Sequence, residues 1–203
     1  HPITTGLPTI DGFISAEGLE PKNAADHYTE KLVLLPELGC CYPRLVVPTQ
    51  PFDYKRHGID AQRPILIAPG MPQKYLASQD KVWVDLAQRL PEAQIVFFEN
   101  TGHPLSSASL RSRLLKTAES NAIDFDAQFR FLPWLDRPEF FSLLKGSTCM
   151  LDTIGFSGFN TAMQSIECGL PVLAFEGKYM RGRLASGILC QLGLTKLIAK
   201  SSQ

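Results

Sequence analysis

The sequence predicts an α/β protein built on a doubly wound parallel sheet. Two observations carry that prediction. From position 63 onward, short apolar runs of strand length alternate with amphipathic stretches of helix length, the pattern of a parallel sheet with both faces covered. In addition, the stretch 151–171 reads as strand, glycine turn, helix, glycine stop and, after Pro171, a new strand.

The elements follow in order. Positions 1–6 are short, polar and glycine-ended, and read as the tail of something that began upstream. Positions 11–15 form a strand. Positions 21–31 read as a helix with Asn23 as cap and Glu30 and Lys31 near its end. A strand at 32–35 stops at Pro36. Positions 40–63 are rich in Pro, Tyr and charge without a steady period, and read as a connector anchored by Tyr42, Leu45, Val46, Val47, Phe52 and Tyr54. Strands are then expected at 64–68, 94–98, 129–132, 149–152 and 172–175. The helix 76–90 buries Val82, Trp83, Leu86, Ala87 and Leu90. The helix 107–121 buries Leu110, Leu114, Leu115 and Ala118. The helix 137–145 has Pro138 in its first turn. The next helix starts at Asn160 and Thr161, either of which can cap it, and stops at Gly169. A last helix lies near 181–192. The expected division is 1–60, the end of one lobe with its connector, and 61–203, a Rossmann-like domain.

Composition narrows the function. Twenty Lys and Arg balance twenty Asp and Glu, so the formal charge is zero, which argues against nucleic-acid binding by bulk charge. No apolar run reaches the roughly 18 residues of a membrane span, and no signal peptide is visible. The chain does not begin with Met, and a fragment of a longer protein is the expectation. Five Cys without a C-x-x-C pair point to reduced thiols in a cytoplasmic protein, and four scattered His give no zinc spacing, so no metal is expected.

Doubly wound sheets bind ligands at the carboxyl ends of their strands. That rule selects 69–74, 99–103, 133–137, 153–161 and 176–183. The set holds Lys74, Arg137, Arg181 and Arg183, cations suited to a phosphorylated ligand. Glu176 follows a strand and is a further candidate, whereas Asp152 reads as a residue that fixes the turn. The helix tip after Gly158 is a natural anion seat.

Four groups of residues at fixed spacing carry a resemblance. They are 1–11 with Tyr28 to Leu32 and Leu35-Pro36; Lys74 with Trp83 and Leu90-Pro91; Phe131-Leu132-Pro133 before Leu151-Asp152-Thr153; and Gly158 to Thr161 with 169–172 and 177–183. Together they resemble the O-linked N-acetylglucosamine transferase family, including its bacterial and SPINDLY-like members, over nearly the whole chain. The resemblance implies the donor-binding half of a GT-B glycosyltransferase, inverting and metal-independent, that moves a sugar from a UDP-linked donor to protein and needs no cofactor. It implies that Lys74 binds the pyrophosphate and supports the leaving diphosphate. By the same likeness Gly158, Phe159, Asn160 and Thr161 offer N–H and hydroxyl donors to the phosphates, and Leu135 and Arg137 border the base. Gln164 stands where the family usually carries an acid for the ribose, and Phe159 where animal members have His. The implied partners are a nucleotide sugar, a protein acceptor and the upstream lobe of the same protein, with neither nucleic acid nor membrane. The competing expectation is a non-catalytic module that binds a nucleotide or a protein. The transferase reading requires that the amine of Lys74 reach the 158–161 turn.

Overall fold

A computed structural model describes residues 4–46 and 50–199. The opening His1 and the expected anchor Val47 lie outside the described residues. Strands β1 (Gly12–Ala16) and β2 (Lys31–Leu35) pair in parallel as a separate two-stranded sheet. The main sheet takes β3 (Ile65–Ala68), β4 (Gln94–Phe98), β5 (Phe129–Leu132), β6 (Cys149–Leu151), β7 (Val172–Phe175) and β8 (Ile198–Ala199). Its order is β5-β4-β3-β6-β7-β8, every pairing parallel. Counted from β3, that is the 3-2-1-4-5-6 order of the dinucleotide-binding sheets, with its reversal between β3 and β6.

The order dictates which helix covers which face, because parallel crossovers are right-handed. The chain first moves outward through β3, β4 and β5. This places α1 (Asp80–Arg89) and α2 (Pro104–Ser120) on one face, where Trp83, Val84 and Leu110 pack on Leu66, Ile95 and Phe97. After the short α3 (Phe125–Gln128) and β5, α4 (Arg137–Gly146) carries the chain back across the sheet. It shares the opposite face with α5 (Asn160–Glu167) and α6 (Leu184–Gln191), where Phe141, Ala162 and Ile188 pack on Ile67, Val96 and Val172. Alternate residues of β3 and β4 feed the two cores, as the two-residue period of a strand requires. Among the described residues, no helix covers the α1 face over β6–β8. An apolar groove lined by Val82, Leu86, Ile154 and Leu173 runs there, with Leu173 42% exposed.

The small sheet packs on the large domain at α6. A Cβ on Gly187 would lie 2.4 Å from the carbonyl oxygen of Gly18, so helix and loop touch backbone to backbone only because position 187 has no side chain. Ile59 is buried in the α4 face core, and the connector residues Leu45, Phe52 and Tyr54 pack against it.

The helix expected over 21–31 does not form. The structure has one 3₁₀ turn, Ala24–His27, and Lys31 opens β2. The polar residues that read as a helix end have longer-range partners. The Glu30 carboxylate accepts from Thr4 Oγ1 and from the amide and hydroxyl of Thr5, and Tyr28 donates to Glu20. Helix α2 starts three residues early, at Pro104, whose missing N–H costs nothing in a first turn. Helix α3, capped by Asp124 onto the amide of Ala127, and the two-residue β8 were not expected. Neither Asn160 nor Thr161 caps α5. The cap position is Phe159, without a side-chain bond, and Asn160 is already helical. Among the described residues, no helix is long and apolar enough to cross a membrane.

Candidate functional site

The reversal of strand order opens a crevice beyond the ends of β3 and β6. Two glycines let its walls approach. A Cβ on Gly70 would stand 2.4 Å from Thr153 Oγ1 and 2.8 Å from Tyr75 Oη. The Gly70 amide donates to Tyr75 Oη at 2.9 Å, and that hydroxyl donates to the Ala68 carbonyl at 2.7 Å. Burial pushes the Tyr75 phenol above its ordinary pKa, so it remains a donor. On the β6 side, a Cβ on Gly158 would stand 2.3 Å from Thr161 Oγ1.

Asp152, at the end of β6, is 5% exposed and organises the turn below α5. Its Oδ2 accepts from Ser157 Oγ at 2.5 Å, and its Oδ1 accepts from the Gly158 amide at 2.8 Å. Burial raises its pKa, against the opposing pull of those bonds and of the Lys74 charge. The carboxylate is thus occupied in holding the turn. This corrects one expectation: the Gly158 amide is committed to Asp152, and what Gly158 supplies to the crevice is room.

Lys74 ends the 3₁₀ turn Pro72–Lys74 that follows β3. Its Nζ donates to the Ser157 carbonyl at 3.4 Å and sits 4.4 Å from the centre of the Phe156 ring. The amine therefore lies against the backbone that leads into Gly158. Burial lowers its pKa, while Asp152 pulls in the other direction. A cation held half-buried is poorly solvated, and a diphosphate at this rim would meet it with little water between.

Leu135, Arg137, Thr161 and Gln164 line one cavity of about 340 Å³, closed by Met71, Phe98, Glu99, Trp134 and Phe140. Lys74 lies outside that lining, at the turn that leads into Thr161. The side chains of Phe159 and Asn160 face elsewhere. Tyr42 of the connector donates to Asn160 Oδ1, and its ring is 5.8 Å from that of Phe159. What α5 leaves for an anion is its first-turn backbone, since the first intrahelical bond runs from the Met163 amide to the Phe159 carbonyl. Arg183 pairs with Glu176 at 2.7 Å, so each of these two candidates engages the charge of the other. The Arg181 carbonyl accepts the Ser157 amide at 2.8 Å, tying the 179–182 loop to the same turn. Met71, Glu99 and Trp134 fell within the strand-end segments but were not singled out. Phe98 and Phe140 fell inside the expected strand 94–98 and helix 137–145, and an aromatic at strand or helix spacing carries no signal of which end of the element is open.

A parallel sheet with this strand order, a lysine after its first strand and a helix tip after its fourth has the architecture of the Rossmann-like lobe of the GT-B fold. The chain superposes on a mutant of the Thermobaculum terrenum O-GlcNAc transferase with a TM-score of 0.81 and 24% identity, over 98% of this chain and 36% of that one. The E. coli structure described as trehalose-6-phosphate bound with UDP-2-fluoro glucose aligns with a TM-score of 0.55 at 12% identity, over 84% of this chain and 41% of that one. No family model matches. In sequence the chain is related over 99% of its length to proteins named probable UDP-N-acetylglucosamine–peptide N-acetylglucosaminyltransferase SPINDLY. Those of Oryza sativa subsp. japonica and Solanum lycopersicum are 27% identical to it, and that of Arabidopsis thaliana 26%. The resemblance drawn from the motifs stands. The chain spans about a fifth of these relatives, 21% of each.

Proposed function

We propose that this chain is the donor-binding part of a protein O-glycosyltransferase and that its donor is a UDP-linked sugar. The observation that carries this reading is the meeting of the Lys74 amine with the turn below α5, beside a cavity lined by Leu135, Arg137, Thr161 and Gln164. In this reading the base enters the cavity, the ribose hydroxyls meet Gln164, and the phosphates lie across Thr161 and the first amides of α5. Lys74 is the catalytic cation. As the glycosidic bond breaks, negative charge grows on the diphosphate, and a fixed ammonium beside it stabilises that charge more than the ground state. The acceptor attacks the anomeric carbon directly with inversion, and no metal is needed where the protein supplies the cation.

Residues 1–60 are the closing piece of a second lobe and 61–203 the donor domain. Ile14, Val33, Leu34 and Leu35 of the small sheet are exposed by 40–67%. A two-stranded sheet that leaves such side chains in water is marginal by itself, which fits a surface that continues in an upstream lobe. That lobe would bring the acceptor protein and the base that deprotonates it, so the isolated chain binds donor without transferring sugar. Titration calorimetry with UDP and GDP tests the reading. Binding is expected and is lost in Lys74→Ala. A folded chain that binds neither nucleotide would overturn it. The second reading, a non-catalytic binding module, draws on Gln164 in place of an acid and on the engagement of Phe159 with Tyr42.

A further inference from the structure

Trp134 is the one aromatic of the cavity lining that stands in water. It is 69% exposed, whereas Phe98 and Phe141 beside it are buried at 8% and 0%. Its neighbours are fixed. Pro133 precedes it, Leu135 is buried, and Asp136 caps α4 by accepting the Glu139 amide at 2.8 Å. The backbone on both sides is thereby held, and the indole retains mainly its own two side-chain torsions. An indole left in water beside a ready-made aromatic slot keeps a large apolar area hydrated. A flat ligand entering the slot would remove that area from water on both faces at once.

We propose that Trp134 stacks on the base of the bound nucleotide and forms the outer wall of the cavity, a step that rests on the donor-site reading above. Stacking reads a π-face and not a hydrogen-bond pattern. Trp134 therefore sets affinity for a nucleobase of either class and contributes nothing to a bare diphosphate.

The test uses the chain as it is, titrated with UDP, GDP and inorganic pyrophosphate. Trp134→Ala is expected to weaken both nucleotides by about tenfold or more and to leave pyrophosphate binding unchanged. Trp134→Phe keeps a stacking face and is expected to stay within about threefold of the parent. Lys74→Ala weakens all three ligands. The chain has two tryptophans, and Trp83 is buried, so quenching of indole emission by UDP should vanish in Trp134→Phe while binding persists. If Trp134→Ala binds UDP as tightly as the parent while Lys74→Ala does not, stacking is refuted and the donor site stands. If the folded parent binds no nucleotide, both fall. If pyrophosphate weakens as much as UDP in Trp134→Ala, the indole holds the loop and not the base, and the proposal is equally lost.

Discussion

Ser157 Oγ donates to Asp152 Oδ2 at 2.5 Å while accepting the amide of Ala185 at 2.8 Å. One buried hydroxyl thus joins the end of β6, the turn below α5 and the first turn of α6. Ser157→Ala strips a donor from a buried carboxylate and an acceptor from a buried amide. Stability should fall by about 2–3 kcal/mol, seen as a lower urea midpoint with an unchanged slope. A midpoint equal to the parent's would show that the turn is held by other contacts.

Asp152 should also mark the pH dependence of stability. Burial raises its folded pKa above the unfolded value, so the folded state holds this proton more tightly. Its contribution is then complete below the ordinary carboxylate range and is lost as pH rises through the raised value. Asp152→Asn removes the titration. From the ordinary carboxylate range upward, the parent's urea midpoint should decline relative to that of the variant. Parallel profiles would refute this assignment.

Gly70 is required for space. Gly70→Ala forces a methyl against Thr153 Oγ1 and Tyr75 Oη, at an expected cost of about 1–3 kcal/mol. Thr153→Ala in the same chain removes one of the two obstructions, so the double variant should recover part of the loss. Strict additivity of the two changes in a thermal or urea series would contradict the contact.

Gln164 offers a neutral partner where the resemblance places an acid. Gln164→Glu should tighten UDP binding several-fold through charge-assisted bonds to the ribose diol. The gain should shrink for 2′-deoxy-UDP. Equal gains for the two nucleotides, measured by calorimetry, would put residue 164 away from the ribose.

The strands 94–98, 129–132 and 172–175 were legible to the residue. Each is a short run dominated by large apolar residues, broken only by Gln94 and Arg130, and the turn that follows differs from it in composition. Crevice residues were legible as a set for a related reason, since strand ends converge wherever a sheet is parallel. Their individual partners were not. Asn160 looks like a cap in sequence, yet its partner is Tyr42, 118 residues away. Glu30 looks like a helix end, yet it gathers Thr4 and Thr5. The Gly158 amide looked free until Asp152, six residues earlier, was seen to fold back on it. Short polar side chains choose partners by tertiary proximity, and local spacing does not encode that choice.

The strand order has a kinetic consequence. β3 meets β4 after a 25-residue excursion but meets β6 only after 80 residues, Ala68 to Cys149, have been laid down. The half-sheet β3–β4–β5 can assemble from nearby chain, whereas the seam at the crevice waits for a distant segment and closes late. A nucleotide bound as proposed would lie across that seam and act as a clasp on the last-formed junction. It should lengthen the lifetime of the native state against unfolding and leave the rate of refolding almost untouched.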